Sequence, residues 1–487
     1  MSKNKKQTLS GSGTTQNRAY YGTKLYFLSV MRIALPVALQ AMLQSSFSMV
    51  DQVMVGQLGS KSIAAVEIAG KPGFILTCVI GAVAAITGIM VSQYIGKKDA
   101  QAVSSSMSVN LLTATLLAAC FAGFGIGMPG KITDIFSKDP NVTEIAATYL
   151  RIIALAYLPA AVSTILAVRV RCMECAAWPL YVSIVSALIN TGLNWLLIFG
   201  HCGFPQLGVS GAAIASVISQ VAGVILMILV YLRTVKMGTS FDREAVKSHR
   251  DGAGFSDQNS ETGKAHLSFH LGKNGFRQYA AMLLPVVLNE FLWSVGQNVN
   301  TYVYGHLGTG ELAAMALTGP VQGLMIGALS GISQAAGILV GKRLGEEAYE
   351  KGYEESKLLC IYGLAGAILL SLLLLVLRVP YTRIFHVEED VRQIAQQLLL
   401  AFAVLAPVKV ENMILGGGIV RSGGRTKYIM MVDMIGTWLI GVPLALFTGL
   451  VLHLPIVLVY FILSQEELVR LIITLFIFRG KKWMRTL

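Results

Sequence analysis

Apolar residues in this chain run in long blocks separated by short polar gaps, without the strict alternation of a half-buried strand or the narrow stripe of a surface helix. A helix that crosses the hydrocarbon core of a bilayer needs about 20 predominantly apolar residues. Such windows recur near 32–56, 70–95, 107–128, 144–168, 179–200, 209–232, 279–305, 312–341, 357–378, 393–420, 428–450 and 452–478. The pattern predicts an all-α polytopic membrane protein with twelve transmembrane helices.

The blocks repeat. Ala34-Leu35-Pro36-Val37 returns as Leu283-Leu284-Pro285-Val286, and Val55-Gly56-Gln57-Leu58-Gly59 as Tyr304-Gly305-His306-Leu307-Gly308, both at an offset of 249. Gly88-Ile89-Met90-Val91 meets Gly337-Ile338-Leu339-Val340 in the same register, and Pro159 meets Pro407 one residue short of it. Two pseudo-symmetric six-helix bundles follow, and because six is even they form a parallel repeat about an axis along the membrane normal. The expected organisation is an N-terminal tail (1–31), an N-lobe (32–234), a linker (235–277), a C-lobe (278–478) and a basic tail (479–487). The linker is polar and cannot bury a core of its own.

Composition agrees with membrane immersion: 54% of residues are hydrophobic and 13% charged, about half the charge of an ordinary soluble domain. The net charge of +13 would suggest nucleic acid in a soluble chain, but the basic residues sit in the gaps between spans. Of 39 Lys and Arg, 29 fall on one side, in both tails, the linker and the loops after even-numbered spans. Both termini and the linker are therefore expected to be cytoplasmic, in a multi-pass plasma-membrane protein with no nucleic-acid partner. Residues Met1–Lys24 lack the apolar core and cleavage site of a signal peptide.

A carboxylate at membrane depth costs about 2.5–3.5 kcal/mol on insertion scales unless it has a partner or water, so intramembrane polar groups carry information. Asp51 lies late in the first span behind Gln40, Gln44, Ser45, Ser46 and Ser48, a polar stripe that must face protein or a wet cavity. In the fifth span Asn190 and Asn194 share one helix face. Their carbonyls beside an Asp suit Na⁺ coordination, with Asp51, Asn190 and Asn194 as the metal ligands, or a hydrogen-bonded proton site. They equally suit interhelical hydrogen bonding. Glu290 occupies the seventh span, and Lys409, Glu411 and Asn412 follow Pro407 in the tenth, where Lys409 can pair with Glu411 or with Glu290. Glu466, Glu467 and Arg470 in the last span are spaced to satisfy one another, and Asp433 reads as a gate or salt-bridge residue. Gln44, Trp293, Tyr302, Glu411 and Asn412 are candidate contacts for a flat organic cation. Pro36, Pro159, Pro285 and Pro407 are candidate hinges.

No Gly-rich phosphate loop GxxxxGK[ST] occurs, so uphill transport here needs an ion gradient and not ATP. Cys172 and Cys175 form a lone CxxC with no second ligand pair, and no cofactor is expected beyond Na⁺ or H⁺ as the coupling ion.

Several motifs together resemble the multidrug and toxic compound extrusion (MATE) transporters. They are Val50-Asp51-Gln52-Val53-Met54-Val55-Gly56 after Leu35-Pro36, Val91-Ser92-Gln93-Tyr94-Ile95-Gly96, Pro179-Leu180-Tyr181 with Asn190-Thr191-Gly192-Leu193-Asn194, and Gly208-Val209-Ser210-Gly211-Ala212-Ala213. The resemblance implies antiport of organic cations and drugs against Na⁺ or H⁺ by alternating access of two lobes. It also implies an amino-lobe cation site at Asp51, Asn190 and Asn194 and a carboxyl-lobe acid at Glu290. Arg171-Cys172-Met173-Glu174-Cys175-Ala176 and Arg421-Ser422-Gly423-Gly424-Arg425-Thr426 depart from the family's Arg-Gly-x-Gly-Asp-Thr turn, a difference expected to affect loop conformation and not coupling. One chain encloses a whole pathway, so a functional monomer in the lipid bilayer is expected. The alternative reading is a lipid-linked precursor flippase of related architecture, which needs a cavity rich in Arg or Lys.

Overall fold

In lipid every backbone N–H and C=O must be satisfied within the segment, and the chain does this with helices. The structure, a computed structural model, describes residues 24–136, 139–250, 273–385 and 387–487. Most of the expected N-terminal tail and residues 251–272 of the expected linker lie outside the described residues. Among these described residues eleven spans follow in order. In the N-lobe they are α1 (Tyr26–Gly56), α2 (Lys61–Gly96), α3 (Ala100–Gly127), α4 (Pro140–Cys172), α5 (Ala177–Phe199) and α6 (Val209–Lys236). In the C-lobe they are α7 (Arg277–Leu307), α8 (Gly310–Gly345), α9 (Tyr349–Arg383), α10 (Glu389–Val420) and α11 (Thr426–Val451).

The twelfth segment is two helices, α12 (Ile456–Leu463) and α13 (Glu466–Arg479), broken at Ser464 and Gln465. Glu466 and Glu467 stand in the first turn of α13, where the positive end of the helix dipole favours them. The helix of α6 continues to Arg250, past residue 235 where the linker is expected to begin. Lys71 lies inside α2 and pairs with Glu67 one turn away at 2.6 Å.

Helix continues through Pro36, Pro285 and Pro407. Pro159 alone among the expected hinges follows a break, a 3-10 turn at Ala154–Ala156, where its ring would crowd the carbonyl four residues back. In the C-lobe α10 widens into π-helix over Met413–Val420 and α11 over Ile435–Gly441 and Phe447–Val451.

The two lobes meet at one end, here called the base, where α1 begins and α8 ends. A Cβ placed on Gly331 would lie 2.0 Å from the Ala34 carbonyl oxygen, and one on Gly345 2.0 Å from that of Gln93. Only glycine permits this approach. Farther along α8, Gly319 and Gly323 face open space. The glycines at every fourth position of α8, Gly319, Gly323, Gly327 and Gly331, thus mark where the lobes touch and where they part toward the opposite end, the mouth.

The segment after Arg479 is no free tail. Trp483 is fully buried, stacks on Phe478 and donates to its carbonyl at 3.1 Å. Gln93 of the N-lobe donates to the carbonyls of Ser422 (2.7 Å) and Arg485 (3.2 Å) and accepts from the Leu487 amide at 2.8 Å. Thr486 donates to the Leu344 carbonyl at 2.9 Å. The segment therefore ties both lobes together at the base.

Candidate functional site

Asp51 sits little more than a turn from the mouth end of α1, half-buried against α5 and α6. Asn194 donates through Nδ2 to Asp51 Oδ1 at 2.7 Å. Asn190, one turn earlier on the same face, takes its place beside the carboxylate. With its amide turned so that nitrogen faces the acid, it donates to Oδ1 at 2.9 Å and Oδ2 at 3.1 Å and accepts from Ser216 Oγ at 3.2 Å. The opposite orientation sets amide oxygen against carboxylate oxygen, while Nδ2 faces Ser216 Oγ. Two acceptors in contact repel unless a proton or cation lies between them. Asn194 Oδ1 is buried with no hydrogen-bond partner, an additional oxygen acceptor at the same place. Asp51 forms no ion pair among the described residues, so the site holds one carboxylate and neutral dipoles. No group of three His, Cys, Asp or Glu among the described residues is arranged to hold a metal ion, so a cation here would take amide as well as carboxylate oxygen.

The residues expected to contact substrate divide. Gln44, Trp293 and Tyr302 are exposed on α1 and α7, and Tyr302 packs on His306 with ring centroids 4.1 Å apart. Glu411 and Asn412, by contrast, lie inside the C-lobe and not on an open face. Glu411 is buried, with Oε1 unpartnered and close to Gly363 of α9. Asn412 donates to Glu467, both to its backbone oxygen at 2.6 Å and to Oε2 at 2.8 Å. Helix rotation, which hydropathy does not encode, turns this pair toward α9 and α13. The expected pairing of Lys409 with Glu411 or Glu290 is not formed: Lys409 is exposed and has no ion pair among the described residues, while Glu290 reaches Arg421 at 3.6 Å.

The C-lobe carries a second polar centre that the sequence reading saw only in part. Arg470 meets Glu466 at 3.3 Å and Glu467 at 4.0 Å, the expected i+4 and i+3 pairs, and also Asp433 of α11 at 3.8 Å. Asn289 of α7 donates to Asp433 at 2.7 Å, and Arg470 donates to Thr437. Gly436 and Gly441 make room for this, since a Cβ on either would collide with Arg470 or Glu466. The signal available in sequence was those glycines facing a charged stretch one span away.

At the base, Lys342 of α8 pairs with Glu174 at 2.5 Å. Arg171 donates to Gln334 of α8 at 2.9 Å and to Gln40 of α1 at 2.8 Å. The turn Arg171–Ala176 thus contributes two contacts between the lobes, Glu174 with Lys342 and Arg171 with Gln334.

The sequence model of the MatE family matches residues 36–196 and 285–447. The chain belongs to the MatE family. Its two matched segments start at Pro36 and Pro285, the register of the internal repeat, and fall one in each lobe. MatE proteins are membrane transporters. Curated relatives include the "Uncharacterized transporter YisQ" of Bacillus subtilis, 23% identical over 464 residues, covering 94% of this chain and 95% of that protein. The "Probable multidrug resistance protein NorM" of Agrobacterium fabrum is 24% identical over 431 residues, covering 86% of each. Among solved structures, the Vibrio cholerae MATE transporter VcmN in the bent form superposes with a TM-score of 0.78 at 15% identity, over 97% of this chain and 100% of that one. At that identity the likeness establishes the MatE fold of two six-helix lobes and nothing finer.

Proposed function

We propose that this MatE protein exports organic cations in exchange for Na⁺ or H⁺, with Asp51 as the group that binds the coupling ion. The observation that carries the reading is the neutrality of the shell around Asp51: two amides, one of them backed by the Ser216 hydroxyl, and no ion pair to a basic side chain among the described residues. A carboxylate held by Arg or Lys has no use for a cation, whereas one held by dipoles stabilises whichever cation arrives. The Asn190 amide supplies the exchange. Turned with nitrogen inward it stabilises the bare carboxylate, and turned with oxygen inward it offers a second ligand to Na⁺ or an acceptor to a carboxylic acid proton.

With the base closed and the mouth parted, the described state faces outward if the termini are cytoplasmic, as the basic-residue bias implies. Ion entry from the mouth then competes with cargo leaving it, and rocking of the lobes about the base completes the cycle. The names of the multidrug-resistance relatives support drugs as cargo, and exposed Trp293 and Tyr302 offer aromatic faces that suit organic cations among them. The flippase reading ranks second, because Arg421 and Arg470 are held in ion pairs and so are not free to hold a diphosphate.

The test is efflux of a fluorescent organic cation in everted vesicles under imposed Na⁺ and H⁺ gradients. Asp51→Asn is expected to lose ion-driven efflux, and undiminished efflux would remove Asp51 from the mechanism. Translocation of labelled lipid-linked precursor without drug-stimulated ion flux would move the flippase reading to first place.

A further inference from the structure

Helix α9 starts at the base, where Tyr349 meets Thr486 at 2.6 Å, and runs 35 residues, long enough at 1.5 Å per residue to carry its last turn to the mouth end. There, between the end of α9 and the start of α10, lies a cavity of about 610 Å³ lined by Arg378, Arg383, Arg392, Gln393, Gln396 and Gln397 among others. Glu389 is the acid in its wall, and it is already taken by Arg392. Glu388 and Asp390 sit beside the same turn, exposed and outside the lining. Arg378 and Arg383 have no ion pair among the described residues, and the Nε atoms of Arg378 and Arg392 are buried without a hydrogen-bond acceptor. An unspent guanidinium beside primary amide donors is a receptor for a phosphate or carboxylate group.

The surroundings name the source of that group. One face of α10, at spacings i, i+4, i+7 and i+11, reads Gln393, Gln397, Leu400, Val404, so it passes from the polar cavity to apolar surface within three turns. Leu400 is 38% and Val404 58% exposed. On α9 Val376, two residues before Arg378, is 72% exposed, and Leu369, Leu372 and Leu373 continue the apolar surface toward mid-helix. A polar anion receptor at the end of a helix pair, continuous with exposed aliphatic side chains at membrane depth, has the layout of a headgroup over its acyl chains.

We propose that this cavity binds the headgroup of an anionic glycerophospholipid in the leaflet at the mouth end, with its acyl chains along Leu400, Val404 and Val376. The lipid would brace α9 against α10 and leave the Asp51 site untouched. The proposal does not depend on the transport reading, since its readout is lipid retention and not flux.

The experiment is native mass spectrometry of the full-length protein in detergent, titrated with phosphatidylglycerol or phosphatidylcholine of matched chains. Phosphatidylglycerol is expected to bind the wild type preferentially. Two guanidinium groups near an anionic headgroup are expected to be worth roughly thirtyfold in affinity, so Arg378→Gln with Arg383→Gln brings phosphatidylglycerol down to the phosphatidylcholine level. Gln397→Glu, an exposed change that spares the fold, weakens it by placing a negative charge in the wall. Arg378→Lys with Arg383→Lys retains the preference. Equal retention of both lipids by the wild type, or an unchanged preference in both the double Gln and Gln397→Glu proteins, overturns the proposal. Displacement of phosphatidylglycerol by millimolar inorganic phosphate would assign the cavity to a soluble anion and overturn the lipid assignment.

Discussion

In the N-lobe Asp51 rests on Asn190, Asn194 and, through Asn190, Ser216, whereas in the C-lobe Asp433, Glu466 and Glu467 converge on Arg470 and Glu290 lies beside Arg421. The two lobes share a repeat, yet the equivalent of Asp51 at the offset of 249 is Asn300, buried and neutral. At the offset of 248 that relates Pro159 to Pro407, Asn190 corresponds to Trp438, whose indole donates to the Leu292 carbonyl, and Asn194 to Val442. Duplication thus kept the helices and let their polar fillings diverge. A carboxylate among dipoles can trade its cation; carboxylates clasped by an arginine serve the packing of their lobe. On the function proposed above, the difference teaches that an ion site of a duplicated bundle is marked less by the presence of an acid than by the absence of a base.

Mutations can break this contrast. The largest effect is expected for Asp51→Asn, with efflux falling to background in the vesicle assay and the melting temperature nearly unchanged, because no counter-charge is left stranded. Arg470→Leu is expected to act the other way round. It leaves Asp433, Glu466 and Glu467 buried without a base and costs about 3–5 kcal/mol of stability, read by thermal unfolding in detergent. An unchanged melting curve would mean that the C-lobe acids need no arginine, and the comparison between lobes would lose its ground. A smaller effect, on the order of 1–3 kcal/mol, is expected of Gly331→Val, whose added carbon meets the Ala34 carbonyl. Spin labels placed across the base should report lobes that no longer close there. The smallest is Lys342→Ala, which removes a partly exposed inter-lobe pair worth up to about 1 kcal/mol and should shift the distribution of base distances without abolishing closure. A larger shift than that of Gly331→Val would place the closure energy in charge and not in backbone packing.

Much of the fold was legible beforehand. The apolar blocks located the spans, and the recurrence of Leu35-Pro36 at Leu284-Pro285 located the second lobe. Asn190 and Asn194 were legible as one face, and Asp51 as an isolated acid, because both statements depend on spacing along a single helix. Hydropathy did not show the break at Ser464 and Gln465, since α12 and α13 are both apolar enough to merge into one window. Nor could it place Glu411, whose direction depends on how α10 rotates against α9, or reveal that Trp483 folds back under Phe478. The role of Arg171 and Glu174 was hidden for the same reason, since their partners Gln334 and Lys342 lie in the other lobe.

The sequence alone determined that this chain is a twofold-repeated helical bundle in a membrane, because a bilayer dictates the length of an apolar run and forbids unsatisfied backbone inside it. Only the tertiary structure decided which polar groups meet. Asp51 finds Asn194 and Asp433 finds Arg470 through contacts between separate helices, set by the tilt, rotation and close approach that glycines such as Gly331 and Gly436 allow. Those are properties of packed pairs of helices, and no single helix carries them in its own pattern.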